Sequence, residues 1–367
     1  MTATVAVIGA GVVGTGSAWH LAERGHQVVI ADPSLANPIP ESTSGRDLNG
    51  TTASLGVLMG HAFRRSGGRA WRLRQRSMAL WPSWCERLNH PETPLELQTP
   101  LIQLASHADE AARLRQLAAS RPESGLQFVE NDRLPQAKPD WPQPGYGAMR
   151  SEHDGRVDPL PLLKALRRRL AIAGVDQLTT CVESLERLSS GRHGWQIHSQ
   201  DGHSRKVDFV VICSALGSQG LLQPLGHDRP MDAVLGQVLD LSIDRTPNAW
   251  ASWPAVLTCA GINLIRHSGN RLWLGATLEP GDTLDPSAVE LMRSLEGLAP
   301  EWLQEAKLIG QWHGLRARPR DRPAPLLETL EPGLLLASGH YRNGVLLTPA
   351  TAEWIEEQID NSTITSP

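Results

Sequence analysis

Three glycines near the start of the chain have the spacing of a phosphate-binding turn. Gly9, Gly11 and Gly14 form a GxGxxG motif directly after a short apolar run. In this motif the first glycine allows a tight turn, the second lets the backbone approach a pyrophosphate, and the third allows close helix–strand contact. Asp32, at the end of the next apolar run, could accept hydrogen bonds from ribose hydroxyls. The spacing predicts a dinucleotide site rather than a purely structural turn.

Two arginines near the C-terminus could bind a carboxylate. Arg316 follows Gly314 and Leu315 at the end of a predicted strand, and a guanidinium there can clamp a carboxylate with two parallel hydrogen bonds. All but four of the 35 basic residues are arginine, so composition alone favours a solvated Arg316. Arg318, Arg320 and Arg322 are interpreted as surface residues.

Arg342 lies in the Gly-bounded loop 339–344, which leads into a predicted helix at about 347–359. The positive end of that helix could stabilise negative charge on a reduced flavin. The alternative is an ordinary helix cap with Arg342 on the surface.

The elements that must position these residues are read from periodicity. A strand at 4–8, a helix at 12–24 and a strand at 27–31 make a βαβ unit, followed by a loop at 33–50. A strand at 206–213 and another at 333–338 follow much later, and a helix at 69–89 is predicted to be interrupted at Pro82. Cofactor segments at the start, middle and end are typical of FAD proteins of the glutathione-reductase type. Since no second GxGxxG occurs, the substrate itself is the expected electron donor.

Composition limits the remaining possibilities. The 367 residues, 40% of them hydrophobic, are sufficient for two domains with cores. A net charge of −4 gives no basic field for nucleic acid. Four distant cysteines without a CxxC pair predict neither a zinc site nor any other metal site. Residues 2–22 lack charge, but their glycines and the absent basic leader favour a strand and turn over a membrane span, so we expect a cytoplasmic protein.

Several segments together resemble the FAD-dependent D-amino acid oxidase (DAO) family, above all its bacterial glycine oxidase branch, which is associated with thiamine biosynthesis. The most specific is GHYRNGVLLTPAT at 339–351, supported by TTASLGVLMGHA at 51–62, GRVDPLPLLKAL at 155–166, RLWLGATLEPGD at 271–282 and GLR at 314–316. The resemblance implies an α/β protein with a glutathione-reductase-type Rossmann FAD-binding domain formed by residues 1–90, 150–225 and 314–367. An interleaved α+β substrate-binding domain with an antiparallel sheet would comprise residues 91–149 and 226–313.

The resemblance also implies roles for individual residues. Arg316 and Arg342 would bind the substrate carboxylate and its surroundings. The residues that would bind FAD are Gly9, Gly11, Val12, Val13 and Gly14 at the phosphates; Asp32 with Pro33 at the ribose; Thr51, Leu55, Gly56 and Val57 at the flavin; Val182 at the adenine; and Gly339, His340, Tyr341, Arg342, Asn343, Gly344, Val345 and Leu346 around the isoalloxazine.

The implied reaction is oxidative deamination of glycine or a similar small amine by hydride transfer to flavin N5. Molecular oxygen as acceptor would give hydrogen peroxide, and the product could serve thiamine thiazole synthesis. Asn263 stands where glycine oxidases carry a tyrosine, and only Tyr146 and Tyr341 occur in the chain, so sarcosine or proline stays open as substrate. A dehydrogenase using a quinone, and a flavin-binding protein that has lost catalysis, are the alternatives. The resemblance is compatible with a homo-oligomer.

Overall fold

The computed structural model describes residues 2–42, 48–134, 140–189, 194–244, 250 and 252–364, so residues 43–47 of the predicted loop at 33–50 lie outside it. The α-helices of this part are α1 (Val12–Glu23), α2 (Gly68–Leu88), α3 (Ala108–Ala119), α4 (Pro159–Ile172), α5 (Ser218–Leu222), α6 (Pro286–Ser294), α7 (Glu301–Glu305) and α8 (Gly344–Ile364). The strands are β1 (Thr4–Ile8), β2 (Gln27–Ala31), β3 (Val57–Leu58), β4 (Leu101–Leu104), β5 (Leu126–Val129), β6 (Ala148–Ser151), β7 (Gly155–Arg156), β8 (Asp176–Leu178), β9 (Val182–Arg187), β10 (Trp195–Ser199), β11 (Ser204–Val207), β12 (Phe209–Ile212), β13 (Met231–Ser242), β14 (Val256–Cys259), β15 (Ile262–Arg266), β16 (Arg271–Gly275), β17 (Glu279–Pro280), β18 (Lys307–Pro319), β19 (Leu326–Glu331) and β20 (Leu334–Ser338).

A six-stranded sheet in the order β19-β20-β12-β1-β2-β8 forms the first half of the molecule. All of its pairs are parallel except β19 with β20. Its central strands are buried along nearly their whole length, because helices and the antiparallel sheet β9–β11 cover both faces. The chain enters this sheet in its first, middle and last thirds, which confirms the predicted Rossmann architecture.

Helix α2 corrects one expectation. It runs through Pro82 without interruption, although proline removes a backbone donor. Trp81, Trp84 and Leu88 are almost fully buried in the cluster that α2 shares with α1 and α8. Burial of these large side chains outweighs the lost hydrogen bond.

A nine-stranded sheet forms the second half, in the order β17-β13-β16-β15-β14-β4-β6-β5 with β18 on the other edge of β13. It is antiparallel apart from the β4–β14 pair, which is parallel. One face packs on α6 and α7 through a cluster that includes Leu239, Leu264 and Leu274. The other face carries Val238, Trp273 and Trp312, which pack against Ala53 and Leu55 of the first half. Apolar contacts therefore join this face to the dinucleotide half.

Strand β18 also bears on the predicted domains. The expected boundary between 313 and 314 falls inside this strand, whose pairing with β13 continues to Pro319. Among the described residues, no helix is both long and apolar enough to cross a membrane.

Candidate functional site

The GxGxxG segment lies at the carboxyl edge of the parallel sheet. Gly9 follows β1 with φ of +106°, a conformation that glycine adopts readily. A Cβ on Gly14 would lie 1.9 Å from the carbonyl oxygen of Gly9, and one on Gly9 would lie 2.9 Å from the backbone of Cys213. Both positions therefore require glycine for the turn to close. Val12 and Val13 then begin α1, whose N-terminus opens at this edge and suits an anion.

Asp32 lies beside this turn at the end of β2. Its Oδ2 accepts a hydrogen bond from the backbone N–H of Ala10 at 2.8 Å, and its Oδ1 accepts one from Ser34, also at 2.8 Å. A carboxylate offers about four acceptor positions, so capacity remains for ribose hydroxyls. Pro33 begins the short 3₁₀ turn that Asp32 caps and is exposed.

Thr51 lies closer to the phosphate turn than expected. Its hydroxyl oxygen accepts a hydrogen bond from the Val12 N–H at 3.0 Å, which leaves the hydroxyl proton for another acceptor. Leu55 is buried against the nine-stranded sheet, Gly56 has φ of +70°, and Val57 begins β3. Thus Thr51 stands at the start of α1, whereas Leu55 reaches the other half of the molecule.

Val182 begins β9 and packs in the same apolar cluster as Ala31, the last residue of β2. Val182 therefore shares a cluster with the strand that precedes Asp32, on the side where the adenine of a dinucleotide is expected.

The loop 339–344 follows β20 and leads directly into α8, which begins at Gly344 rather than near residue 347. Because β20 is parallel to β12, the loop lies at the same sheet edge as Gly9. Pro349 lies inside α8, and the Leu346 carbonyl accepts hydrogen bonds from Ser77 Oγ at 2.6 Å and Trp81 Nε1 at 3.0 Å. Helix α2 therefore fixes the start of α8, including Val345.

His340 is a structural residue in this loop. Its Nε2 lies 3.0 Å from Thr351 Oγ1, and burial lowers the pKa of the imidazole to about 3. The side chain is neutral and faces the protein interior. His61 is also partly buried, and burial lowers its pKa too. Neither histidine is placed as a general base.

Arg316 occupies a tight cradle on β18. Its Nη1 donates to the carbonyl oxygens of Leu235 at 3.0 Å and Thr277 at 3.2 Å. A Cβ on Gly236 would lie 2.1 Å from Nη2, so glycine at this position makes the room for the guanidinium. Burial, and then the nearby positive charge of Arg342, lower the pKa of Arg316. An arginine nevertheless keeps its charge in proteins.

Carboxylates do not contact these two cations directly in the described structure, although the negative charge of nearby Glu279 raises the pKa of Arg316. Within the described ranges, no ion pair involves Arg316 or Arg342, whereas many other arginines pair with Asp or Glu. Tyr341, whose φ is +56°, directly precedes Arg342 and lies close enough to Arg316 to affect its pKa. A partly buried guanidinium that no carboxylate pairs directly suits an anionic ligand.

A buried polar network supports the cradle from behind, and sequence reasoning missed it. Glu279 accepts hydrogen bonds from the Gln237 amide at 3.0 Å, from the Asp285 backbone N–H at 2.8 Å and from the Thr277 hydroxyl. Gln237 in turn accepts one from Gln311 at 2.6 Å. Gln237, Glu279 and Gln311 lie on three different strands, β13, β17 and β18, so no local sequence pattern predicts the network.

Asn263 lies on the same side of the nine-stranded sheet as Arg316. It pairs with Gly275 across β15 and β16, and Gly275 pairs with Val238 of β13. Its side-chain oxygen accepts a hydrogen bond from Thr258 at 3.0 Å. The structure therefore brings it to the face that the predicted flavin contact Leu55 covers.

The chemistry of this arrangement is that of an oxidoreductase with a dinucleotide cofactor. A Rossmann sheet edge with Asp32 beside the glycine turn faces a second sheet that presents Arg316. The glycine turn, the free hydroxyl proton of Thr51 and the opening of α1 fit the pyrophosphate of FAD. Among the described residues, no three His, Cys, Asp or Glu side chains are grouped to hold a metal ion.

The chain belongs to the DAO family of FAD dependent oxidoreductases, whose pattern it matches over residues 4–358. FAD is therefore its cofactor. The chain is 26% identical over 365 residues to a glycine oxidase of Bacillus licheniformis, covering 96% of this chain and 92% of that protein. It is 27% identical to a bifunctional protein ThiO/ThiG of a Nostoc species, covering 98% of this chain and 53% of that protein.

Solved structures agree on the fold. The crystal structure of glycine oxidase from Geobacillus kaustophilus superimposes with a TM-score of 0.82 at 26% identity, covering 98% of this chain and 95% of that one. The predicted family and fold class are thereby confirmed. The individual site residues stay predictions, supported by the geometry described above.

Proposed function

We propose that this enzyme catalyses oxidative deamination of a small amino acid or amine, with glycine as the simplest candidate. The observation that carries the proposal is Arg316, which is held in a glycine-lined cradle and forms no ion pair within the described structure. Relatives that are glycine oxidases support the same substrate class. Service to thiamine thiazole synthesis, which the sequence resemblance implies, belongs to the same proposal.

Binding and orientation are the tasks of the protein. Arg316 would hold the substrate carboxylate, and Arg342 would add positive charge beside it. When bound, FAD supplies the electron acceptor, so that the α-carbon loses a hydride and the amine becomes an imine, which water converts to an oxo acid and ammonia. Fixing the carboxylate at a rigid strand restricts the orientation of the α-carbon, which is a major source of rate enhancement.

The cofactor would be held by the residues at the sheet edge. The start of α1 and the Thr51 hydroxyl would bind the phosphates, and Asp32 would bind the ribose. The loop 339–346 and residues 55–57 would lie around the ring system. Part of that contact comes from backbone, because His340 is turned inward.

One experiment tests cofactor, reaction and substrate together. The purified holoprotein is mixed anaerobically with glycine, sarcosine, D-alanine or D-proline, and the absorbance of the oxidised flavin at about 450 nm is followed. Bleaching by at least one amine is expected. A protein that stays yellow with every amine would contradict the proposal and favour the flavin-binding protein without catalysis.

The electron acceptor is tested on the reduced protein. Admission of oxygen is expected to restore the band and release hydrogen peroxide. Recovery with a quinone but not with oxygen would favour the dehydrogenase alternative. Cytoplasmic location, a homo-oligomer and the two-domain division stay predictions beside this proposal.

A further inference from the structure

One of the two carbonyl groups that hold Arg316 lies outside the regular sheet. Arg316 Nη1 donates to the Leu235 carbonyl oxygen at 3.0 Å and to that of Thr277 at 3.2 Å. Leu235 belongs to β13, whereas residues 276–278 connect β16 to β17 and belong to neither strand. The strand ladder therefore fixes only one of the two groups that direct the guanidinium.

Hydrogen bonds of the Thr277 side chain and backbone fix the other group. The Thr277 hydroxyl oxygen accepts a hydrogen bond from the Gln237 backbone N–H at 2.7 Å, and the Thr277 N–H donates to the Gln237 carbonyl oxygen at 3.2 Å. The Thr277 hydroxyl in turn donates to Glu279. Thr277 is buried, and hydrogen bonds in a low-dielectric interior are strong. The position of the Thr277 carbonyl thus depends on the groups that bind its hydroxyl.

Glu279 is the acceptor on which these bonds converge. Its carboxylate also accepts a hydrogen bond from the Gln237 amide at 3.0 Å and one from the Asp285 backbone N–H at 2.8 Å. These donors are neutral groups, and Arg316 lies within electrostatic reach of the carboxylate. Glu279 is therefore bound to the groups that direct the guanidinium without contacting the guanidinium itself.

We propose that Glu279 is a positioning residue of the carboxylate clamp. Through the Thr277 hydroxyl and the Gln237 amide it fixes the Thr277 carbonyl, and that carbonyl sets the direction in which Arg316 presents its other N–H groups. A planar guanidinium forms two parallel hydrogen bonds to a carboxylate only in a narrow range of orientations, so a small rotation weakens the clamp although the charge remains. This inference rests on the proposed function, in which Arg316 binds the substrate carboxylate.

The variant E279Q tests this role because it keeps the volume of the side chain. Both carboxylate oxygens of Glu279 accept hydrogen bonds, so either orientation of the new amide brings its NH2 group against a donor. The dissociation constant of acetate is measured on the holoprotein through the perturbation of the flavin absorbance. KM is measured for the amine that bleaches the flavin fastest.

The matched control is D240N. Asp240 is a buried carboxylate on the same strand β13, but it binds Arg271 and lies four residues from Gly236. We expect E279Q to raise the acetate dissociation constant and KM about tenfold with flavin content unchanged. D240N should lower the urea midpoint of unfolding and leave both constants unchanged. An equal rise in D240N would indicate general loosening of the sheet and overturn the inference.

Two further variants separate positioning from loss of stability. In Q237E/E279Q the donor and the acceptor exchange places, and the new carboxylate can also accept from Gln311, which already donates to Gln237 at 2.6 Å. Acetate binding should return to within about threefold of wild type. In R316K, which lacks the planar fork, the addition of E279Q should change acetate binding less than about twofold.

Several results would overturn the positioning role. Acetate binding in E279Q that equals or exceeds that of the wild type would show that Glu279 acts through its negative charge alone or not at all. No recovery in Q237E/E279Q, or a further loss of about tenfold when E279Q is added to R316K, would do the same.

The reaction and the positioning role can fail separately. If no amine bleaches the flavin but acetate binding depends on Glu279 as expected, the proposed reaction fails and the positioning role stands. If an amine bleaches the flavin and E279Q binds acetate normally, the reaction stands and the positioning role fails. A wild-type holoprotein that does not bind acetate would exclude the clamp and this inference with it.

Discussion

The two ends of the proposed site bind negative charge by different means. At the phosphate end, the described contacts come from backbone and hydroxyl groups: the glycine turn, the start of α1 and the Thr51 hydroxyl. At the substrate end, the contacts come from guanidinium groups on β18 and in the loop 339–344. The phosphate end depends on how closely backbone segments approach each other, whereas the substrate end depends on the positive charge of its guanidinium groups.

This difference predicts different tolerance to substitution. The phosphate end presents backbone groups, so we expect it to lose FAD binding when an added side chain prevents two backbone segments from approaching. Charged side chains act over several ångströms, so we expect the substrate end to lose substrate binding when a charge is removed. We therefore expect that substitutions at the substrate end, for example at Asn263, change substrate preference without altering FAD binding.

The largest effect is expected at the glycine turn. In G14A the new Cβ would meet the carbonyl oxygen of Gly9 at 1.9 Å, so the turn must open. We expect purified G14A to contain little or no FAD, measured as the ratio of flavin to protein absorbance. The matched control is G220A in α5, where a Cβ would have nothing within 4 Å. Full flavin content in G14A would show that FAD binding at the phosphate end does not require the close approach of Gly14 to Gly9.

Removal of charge at the other end should spare the cofactor. R316L loses charged hydrogen bonds worth about 3 kcal/mol, so KM for the amino acid should rise more than about 100-fold with flavin content unchanged. R316K, which keeps the charge without the planar fork, should lie between R316L and wild type. The control is R115L, since Arg115 forms an exposed pair with Glu130. Unchanged steady-state kinetics in R316L would refute the clamp.

A change of shape at the substrate end tests selectivity. In N263Y a ring would be placed on the sheet face beside Gly275 and Val238. The ring should restrict space, so the ratio of kcat/KM for sarcosine to that for glycine should fall about tenfold. N263A, which only shortens the side chain, is the comparison. An unchanged ratio in N263Y would place Asn263 away from the substrate.

The smallest effect concerns stability at the loop 339–344. Burial holds the pKa of His340 at about 3, below 6.5, so the unfolded chain binds the proton more readily. Stability is therefore present above pH 6.5 and lost as the pH falls, by about 1 kcal/mol between pH 6.5 and 5.5. H340Q, which keeps a donor for Thr351, should reduce the slope in urea unfolding by about this amount, while His20, His26, His61 and His267, whose pKa values burial also lowers, keep their share. H203Q, at the exposed turn after β10, should keep it, and equal slopes in H340Q and wild type would contradict a buried neutral His340.

Sequence patterns predicted the structure correctly where the site is built from residues that are close together in the chain. The GxGxxG spacing predicted β1 and α1 within one residue of their observed ends, and the same βαβ unit predicted Asp32 beside the turn. The predictions were wrong at Pro82, where burial of Trp81 and Trp84 keeps α2 continuous. They also missed the 13-residue length of β18, because its first three residues are all exposed and the strand contains two glycines.

By itself the sequence determined the family, the cofactor and the dinucleotide edge, because a turn and a helix start are made by consecutive residues. Only the tertiary structure decided which of 31 arginines meet. Arg316 is held by Gly236, Leu235 and Thr277, and Arg318 lies beside the Tyr341 ring. Those partners are between 23 and 81 residues away, and the pairing of β13 with β18 and of β20 with β12 brings them together. Charge that is unpaired in space has no signature along the chain.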